Sequence, residues 1–186
     1  MCTSYHVFPD ENIEMREIIG RVVSAFPQFP LRTGRVSPTH TAAVLTAQAA
    51  ILMRFGQQHP SRKGLLLNAR SEGAAHSPLF SPMLKHRRCL VPANEFYEWT
   101  PDKKPRLYSP AAGGLLYMAG LYSPAEPLAH FVILTRPADE QVQPVHDRMP
   151  LLLQTEELRQ LWLSAPPLAE SLLTLWDDVP LLEKAG

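Results

Sequence analysis

The 186-residue chain carries 18 basic and 18 acidic side chains, a formal net charge of zero and a pI near 7.1, so its global charge gives no nucleic-acid signal. Any nucleic-acid contact must come from a local basic groove. With 45% hydrophobic and 19% charged residues it falls among ordinary soluble chains, at a length that suits one domain over residues 1–186. No stretch reaches the roughly 20 apolar residues of a membrane span. The N-terminus has no basic-then-apolar leader, so a cytoplasmic location is expected. Two cysteines, Cys2 and Cys89, make no disulfide framework, and 19 prolines cut the chain into short elements.

In chain order, residues 12–26 predict a first helix, with an imperfect stripe of Ile13, Ile18, Ile19, Val22, Val23 and Phe26 that Pro27 stops. Residues 27–41 read as a proline-punctuated loop. Short β-prone runs follow at 49–55, 64–68, 88–92, 96–99, 115–122 and 131–135. A tight turn is expected at 93–95 between flanking strands. Residues 77–86, 156–164 and 168–175 read as helices. The sum is one α+β domain with a curved, mostly antiparallel, barrel-like sheet and flanking helices.

Four places could carry chemistry. Removal of Met1 would leave Cys2 with an α-amine and a thiol on adjacent carbons, a pair that condenses with aldehydes through an imine to a five-membered thiazolidine. By position alone Cys2 is equally a free cysteine that follows the initiator. The second place is Asn68-Ala69-Arg70-Ser71-Glu72, polar residues at a strand end. There Asn68 could orient a carbonyl or hydroxyl and Arg70 could clamp a phosphate, unless Arg70 and Glu72 form a solvated pair. Third, Glu98 lies between Tyr97 and Trp99 and shares a strand face with Phe96, a setting that would raise its pKa by desolvation unless it points to water. Fourth, His146 in Val145-His146-Asp147-Arg148-Met149-Pro150 could move protons near neutrality. Cys89, in an apolar run, reads as core. The histidines show no metal-ligand spacing, and no metal or cofactor is expected. Basic clusters at Arg62-Lys63, at Lys85-His86-Arg87-Arg88 and at Lys103-Lys104 could join Tyr97 and Trp99 in lining a single-strand groove.

Taken together these motifs resemble the SRAP family, the SOS response-associated peptidase domain. The chain has, in order, Met1-Cys2, Asn68 to Glu72, Cys89 through Trp99, and His146 to Pro150. Pro38-Thr39, Met53-Arg54-Phe55-Gly56 and the segment from Met118 to Tyr122 also look like the family. The resemblance implies curved antiparallel strands, a groove for single-stranded DNA, and capture of the abasic-site aldehyde by Cys2 as a thiazolidine with reversible release. Carried over, it gives Cys2, Asn68, Glu98 and His146 as the catalytic set. Asn68 would position Cys2 and the sugar, Glu98 would handle protons, and His146 would help open the ring and reverse the adduct. Arg70 would bind backbone phosphate with Arg148 in support, and self-removal of Met1 would account for the peptidase name. The expected partner is single-stranded DNA containing abasic sites, met by a monomer on the nucleoid.

Four positions depart from the family pattern. Thr3 and Ser4 replace a usual Gly-Arg, Phe55 replaces a Trp, and Glu95 replaces a Gly, so that Glu95 is expected to repel phosphate. Two other functions stand beside this one. An N-terminal-nucleophile Cys amidohydrolase would use Cys2 on an amide, though it usually needs a layered αββα sandwich. A non-catalytic strand-binding module would tolerate replacement of Cys2.

Overall fold

The computed structural model describes residues 2–61, 63–176 and 178–186; Met1 and Arg62, both singled out in the sequence, lie outside them. A three-residue strand, β1 (Tyr5–Val7), leads into α1 (Ile13–Ala25). The Asn12 side chain caps α1 by accepting the Met15 N–H at 2.9 Å. Met15, Ile18 and Val22 form its buried stripe, while Ile13 is 73% exposed, which is why the apolar periodicity looked imperfect. The strands β2 (Gly34–Val36), β3 (Thr41–Leu45), β4 (Ala50–Phe55), β5 (Gln57–Gln58), β6 (Leu65–Leu66) and β7 (Asn68–Arg70) follow. Two short helices, α2 (Ser71–Ala74) and α3 (Ser81–His86), precede β8 (Arg88–Ala93), β9 (Glu95–Trp99), β10 (Pro105–Pro110), β11 (Leu116–Ser123), β12 (His130–Pro137) and β13 (Arg148–Pro150). The chain ends through α4 (Glu156–Ser164), α5 (Pro166–Ser171) and β14 (Leu181–Ala185).

One sheet runs β11-β8-β3-β4-β12 and closes on itself, because β11 and β12 also pair, from Gly120 opposite Ile133 to Ser123 opposite His130. The ring permits a close approach at Gly120, where an added Cβ would sit 2.9 Å from Cys89 Sγ and 3.1 Å from Val132 O. Pairing is antiparallel except at β12, which runs parallel to β4 and to β7. Past the ring, β12 holds β7 along one edge and β13 along the other, with Thr135 opposite both Arg70 and Pro150. The second sheet has the order β14-β10-β9-β1-β2. Side chains of both sheets and of α1 and α4 meet in one buried cluster that includes Tyr5, Phe55, Phe96, Phe131 and Trp162.

The turn expected at 93–95 is not a hairpin. β8 pairs with β11 and β3, β9 pairs with β1 and β10, and the chain crosses from one sheet to the other at Asn94. Two-residue hairpins need residues that accept positive φ in sequence, and Asn94-Glu95 has no glycine to supply the second. The strand therefore changes sheets at a corner instead of reversing. Asn94 N–H donates to His6 O at 2.8 Å, and Asn94 Oδ1 accepts the Phe8 N–H at 2.7 Å.

Arg88, read in the sequence as part of a basic cluster, is buried. Its guanidinium donates to Leu84 O at 2.7 Å and Lys85 O at 3.0 Å at the end of α3, and to Trp162 O and Leu163 O near the end of α4. It thus satisfies carbonyls that a helix terminus leaves open. Trp162 Nε1 donates to Cys89 O at 2.9 Å, tying α4 to β8 again. Replacing Arg88 by Met strands several buried carbonyls at once and is expected to cost about 3 kcal/mol of stability. Urea unfolding checks this, and an unchanged midpoint would refute the clamp.

Candidate active site

Pairing of β1 with β2 and β9 pins the residues that precede it. Tyr97 N–H donates to Ser4 O at 3.0 Å, and Cys2, two residues earlier, is fully buried with its Sγ 3.6 Å from Ser4 O. Asn68 opens β7, and the register of β7 on β12 aims its carboxamide at the same place. Its Nδ2 donates to Cys2 O at 3.1 Å and to Ile133 O at 3.4 Å. Its Oδ1 is buried and accepts no hydrogen bond among the described residues, so it can receive a ligand donor.

Alternation along β9 sends Phe96 and Glu98 inward and Tyr97 and Trp99 outward. Phe96 and Glu98 are fully buried, and the outward rings stack with centroids 5.5 Å apart. Glu98 therefore does not point to water. Burial pushes its carboxyl up to about 7, and the nearby Asp147 carboxylate adds to the rise. Burial, and then the charge of Glu98, pushes the Cys2 thiol well above the usual thiol range. The pair thus holds a protonated thiol beside a carboxyl that titrates near neutrality. Cys89 is also buried, and burial alone pushes its thiol up, as suits an inert core residue.

His146 lies in the loop between β12 and β13, next to the Asp147 whose field reaches Glu98. Burial is the largest cause holding its pKa below the ordinary 6.5, so the ring is neutral at pH 7. Its Nδ1 accepts the Arg148 N–H at 3.0 Å and also lies 2.9 Å from Asp147 Oδ1. One nitrogen cannot accept the amide proton and donate to the carboxylate together. Asp147 is 84% exposed, where water competes for it, so the amide contact decides and the neutral ring carries its proton on Nε2. Cys2 and Asn68 are thus joined by a hydrogen bond, Glu98 acts on Cys2 through its charge, and His146 lies next to the Asp147 that acts on Glu98.

Arg70 is exposed at the end of β7, but Glu72 is not its partner. Glu72 takes Arg148 Nη1 at 2.5 Å and Nη2 at 2.9 Å, while Arg148 Nη2 also donates to Thr135 O at 2.6 Å. Arg148 is buried and faces inward, which corrects its reading as a phosphate contact: it braces the His146 loop against α2 and β12. Among the described residues, no group of three or more His, Cys, Asp and Glu could hold a metal ion.

A family model described as SOS response associated peptidase (SRAP) matches residues 1–181. The chain belongs to the SRAP family. It is 34% identical over 125 residues to the abasic site processing protein YoqW of Bacillus subtilis (strain 168), covering 60% of this chain and 55% of that protein. To the abasic site processing protein YedK of Escherichia coli (strain K12) it is 33% identical over 102 residues, covering 51% and 46%. The chain spans about half the length of the curated relatives it matches. A crystal structure of a protein from Bacteroides thetaiotaomicron superposes with a TM-score of 0.79 at 20% identity, covering 99% of this chain and 91% of that one, which shows the fold.

The positions that depart from the SRAP pattern are accommodated by packing. Phe55 stacks on Phe131 at 5.2 Å in the core. Glu95 is buried between His6 Nδ1, 3.0 Å away, and Lys184. Burial raises its pKa, yet the hydrogen bonds from His6 and Lys184 outweigh this and hold it low, so its charge is neutralised locally on the face of β9 that it shares with Tyr97 and Trp99. Ser4 lies under an arginine the sequence reading did not single out: Arg35 Nη2 donates to Ser4 Oγ at 3.4 Å.

Glu98 also leaves a mark on stability. Its folded pKa of about 7 exceeds the ordinary 4.5, so between these values the folded state binds more protons than the unfolded state. Its contribution is complete below pH 4.5 and is lost as pH rises through 7. The Glu98→Gln protein is expected to gain in urea midpoint relative to the parent as pH rises from 4.5 to 8. A difference that stays constant with pH would show that Glu98 titrates normally.

Proposed function

We propose that this SRAP chain captures abasic sites in single-stranded DNA through Cys2 once Met1 has been removed. Removal of Met1, a peptidase step in keeping with the family's description as a peptidase, frees the Cys2 amine. The amine adds to the aldehyde carbon of the ring-opened sugar and gives a carbinolamine. Loss of its hydroxyl as water, with a proton from the neutral Glu98 carboxyl, gives an imine. The Cys2 thiol then adds to the imine carbon. A C–S bond forms, the thiol proton returns through Glu98, the ring nitrogen ends protonated as an amine, and one water has left overall.

The observation that carries this reading is the buried Glu98 carboxyl, poised near neutral pH and close enough to Cys2 to raise the thiol's pKa. A thiol held protonated needs such a base before it can attack, and a leaving hydroxyl needs such an acid. Asn68 supports it by holding the Cys2 carbonyl and keeping Oδ1 for a sugar hydroxyl or the amine. The neutral His146 assists ring opening and reversal by moving a proton at the sugar oxygens, and the exposed Arg70 takes a backbone phosphate. The names of the relatives, abasic site processing proteins, agree with this substrate.

Incubation with an oligonucleotide containing one abasic site, followed by a denaturing gel, tests the proposal. A shifted, heat-stable band is expected, Cys2→Ala removes it, and Cys2→Ser leaves at most a less stable imine. A full-strength band from Cys2→Ala would exclude the thiazolidine. Glu98→Gln and His146→Ala are expected to slow formation or reversal by about 10²–10⁴-fold while oligonucleotide affinity stays within a few-fold. The parental formation rate should fall above pH 7 as Glu98 ionises, and that limb should vanish in Glu98→Gln. Parental rates in both variants would remove them from the chemistry.

A further inference from the structure

On the outer face of the second sheet, the register of β1 with β2 sets Arg35 opposite His6, and the order β9-β1-β2 brings it beside Tyr97 and Trp99. The Arg35 guanidinium lies 4.7 Å from the centroid of Tyr97 and 5.5 Å from that of Trp99. Tyr97 is itself fixed, its hydroxyl 2.7 Å from His6 Nε2. One edge of the guanidinium meets Ser4 Oγ, two residues from Cys2, and its other N–H groups find no acceptor among the described residues. No carboxylate among those residues pairs with it, whereas Arg88, Arg106, Arg136, Arg148 and Arg159 are all engaged by carboxylates or carbonyls. An exposed arginine without a counter-ion among the described residues, held over two rings, is an ordered cation with donor N–H groups to spare.

The basic surface continues. Arg32 Nε donates to Arg35 O at 3.2 Å, and Arg32 lines an open cleft of about 360 Å³ together with His40 and Arg54. Among the described residues, no acidic side chain lines this cleft. His40 Nδ1 accepts the Ser37 N–H at 3.2 Å, which leaves the ring proton on Nε2 as a donor. Thr39, also in the cleft wall, sits at φ 73°, a conformation costly for a β-branched residue that the loop nevertheless keeps.

We propose that Arg35 on the Tyr97–Trp99 stack, together with the Arg32–His40–Arg54 cleft, forms a phosphodiester subsite that seats the strand on the outer face of β9, β1 and β2. It rests on the reading of the chain as a capturer of abasic DNA, and it adds a phosphate track distinct from Arg70. Cations interleaved with a stacked aromatic pair suit a single strand, whose backbone takes the charges and whose bases take the rings. A lone inorganic anion would use the cations and gain nothing from the rings.

Fluorescence anisotropy with an undamaged, labelled oligothymidine over a salt series tests the subsite apart from the covalent step. Arg35→Ala is expected to bind at least about tenfold more weakly, with the log–log salt slope shallower by about 0.7. Arg35→Lys keeps the slope and loses part of the affinity, because charge remains while the planar stack is lost. Arg21→Ala, an exposed arginine on α1 paired with Glu17, serves as the control and leaves both unchanged. Exchanging chloride for inorganic phosphate at equal ionic strength should not displace the strand. An Arg35→Ala slope equal to the parent's, or full displacement by phosphate, overturns the subsite. A parent that binds as described yet gives no abasic adduct would instead overturn the capture reading alone.

Discussion

The chain leaves the closed ring for the second sheet at Asn94, where two hydrogen bonds, one to His6 O and one from the Phe8 N–H, fasten β1 across the corner. The other arrangements depend on this joint. Because β8 and β9 form one bent run, the wholly buried β8 fixes where β9 begins, and Glu98 follows three residues later on the inward face. Because β1 is fastened at the same corner and lies beside β9, Cys2 is carried past the far end of β1, where the charge of Glu98 reaches its thiol. Arg88, at the opposite end of β8, binds two helix ends to the same run. A change in the corner angle would therefore move acid, thiol and helices together.

Burial holds Glu98 and Cys2 in a state unlike the one they would have in water. A carboxyl near half-protonation and a thiol kept protonated are both consequences of exclusion from solvent, and each raises the cost of charge on the other. A carboxyl so placed gives up and recovers a proton with little change in driving force, which is useful where one group must serve as acid and then as base. The same desolvation works against the folded state at neutral pH, so this burial trades stability for reactivity. Bracing offsets that strain: Glu72, Arg148 and Thr135 hold the His146 loop from behind, and Asn68 ties Cys2 to β12.

Local signals in the sequence located what local physics decides. Asn12 and Thr155 cap α1 and α4, so the predicted bounds fall within a residue of those observed. Alternation put Glu98 on the face of Phe96 and left open whether that face meets water, and the ordered motifs singled out Cys2, Asn68 and His146 through their resemblance to the family. What was not legible depends on pairing between distant segments. β2 is three residues with an arginine in the middle, and its strand character exists only against β1. β10 begins and ends in proline and finds its partners in β9 and in β14 at the chain's end. Glu72 sits two residues from Arg70 but bonds to Arg148, 76 residues away. The sheet change at Asn94 was read as a reversal, and Arg35 was missed because its contacts follow from the β9-β1-β2 register.

β9 has a consequence for how such a protein can diversify. Its inward residues, Phe96 and Glu98, belong to the buried interior, and its outward residues, Tyr97 and Trp99, belong to a surface capped by Arg35. Neighbouring codons thus specify opposite sides of one ribbon, and a substitution on one side leaves the other's packing largely intact. Lineages can drift in which strands they grip while reactivity is inherited unchanged. They can equally lose reactivity and keep the grip, turning a capturing protein into a plain reader of the same strand.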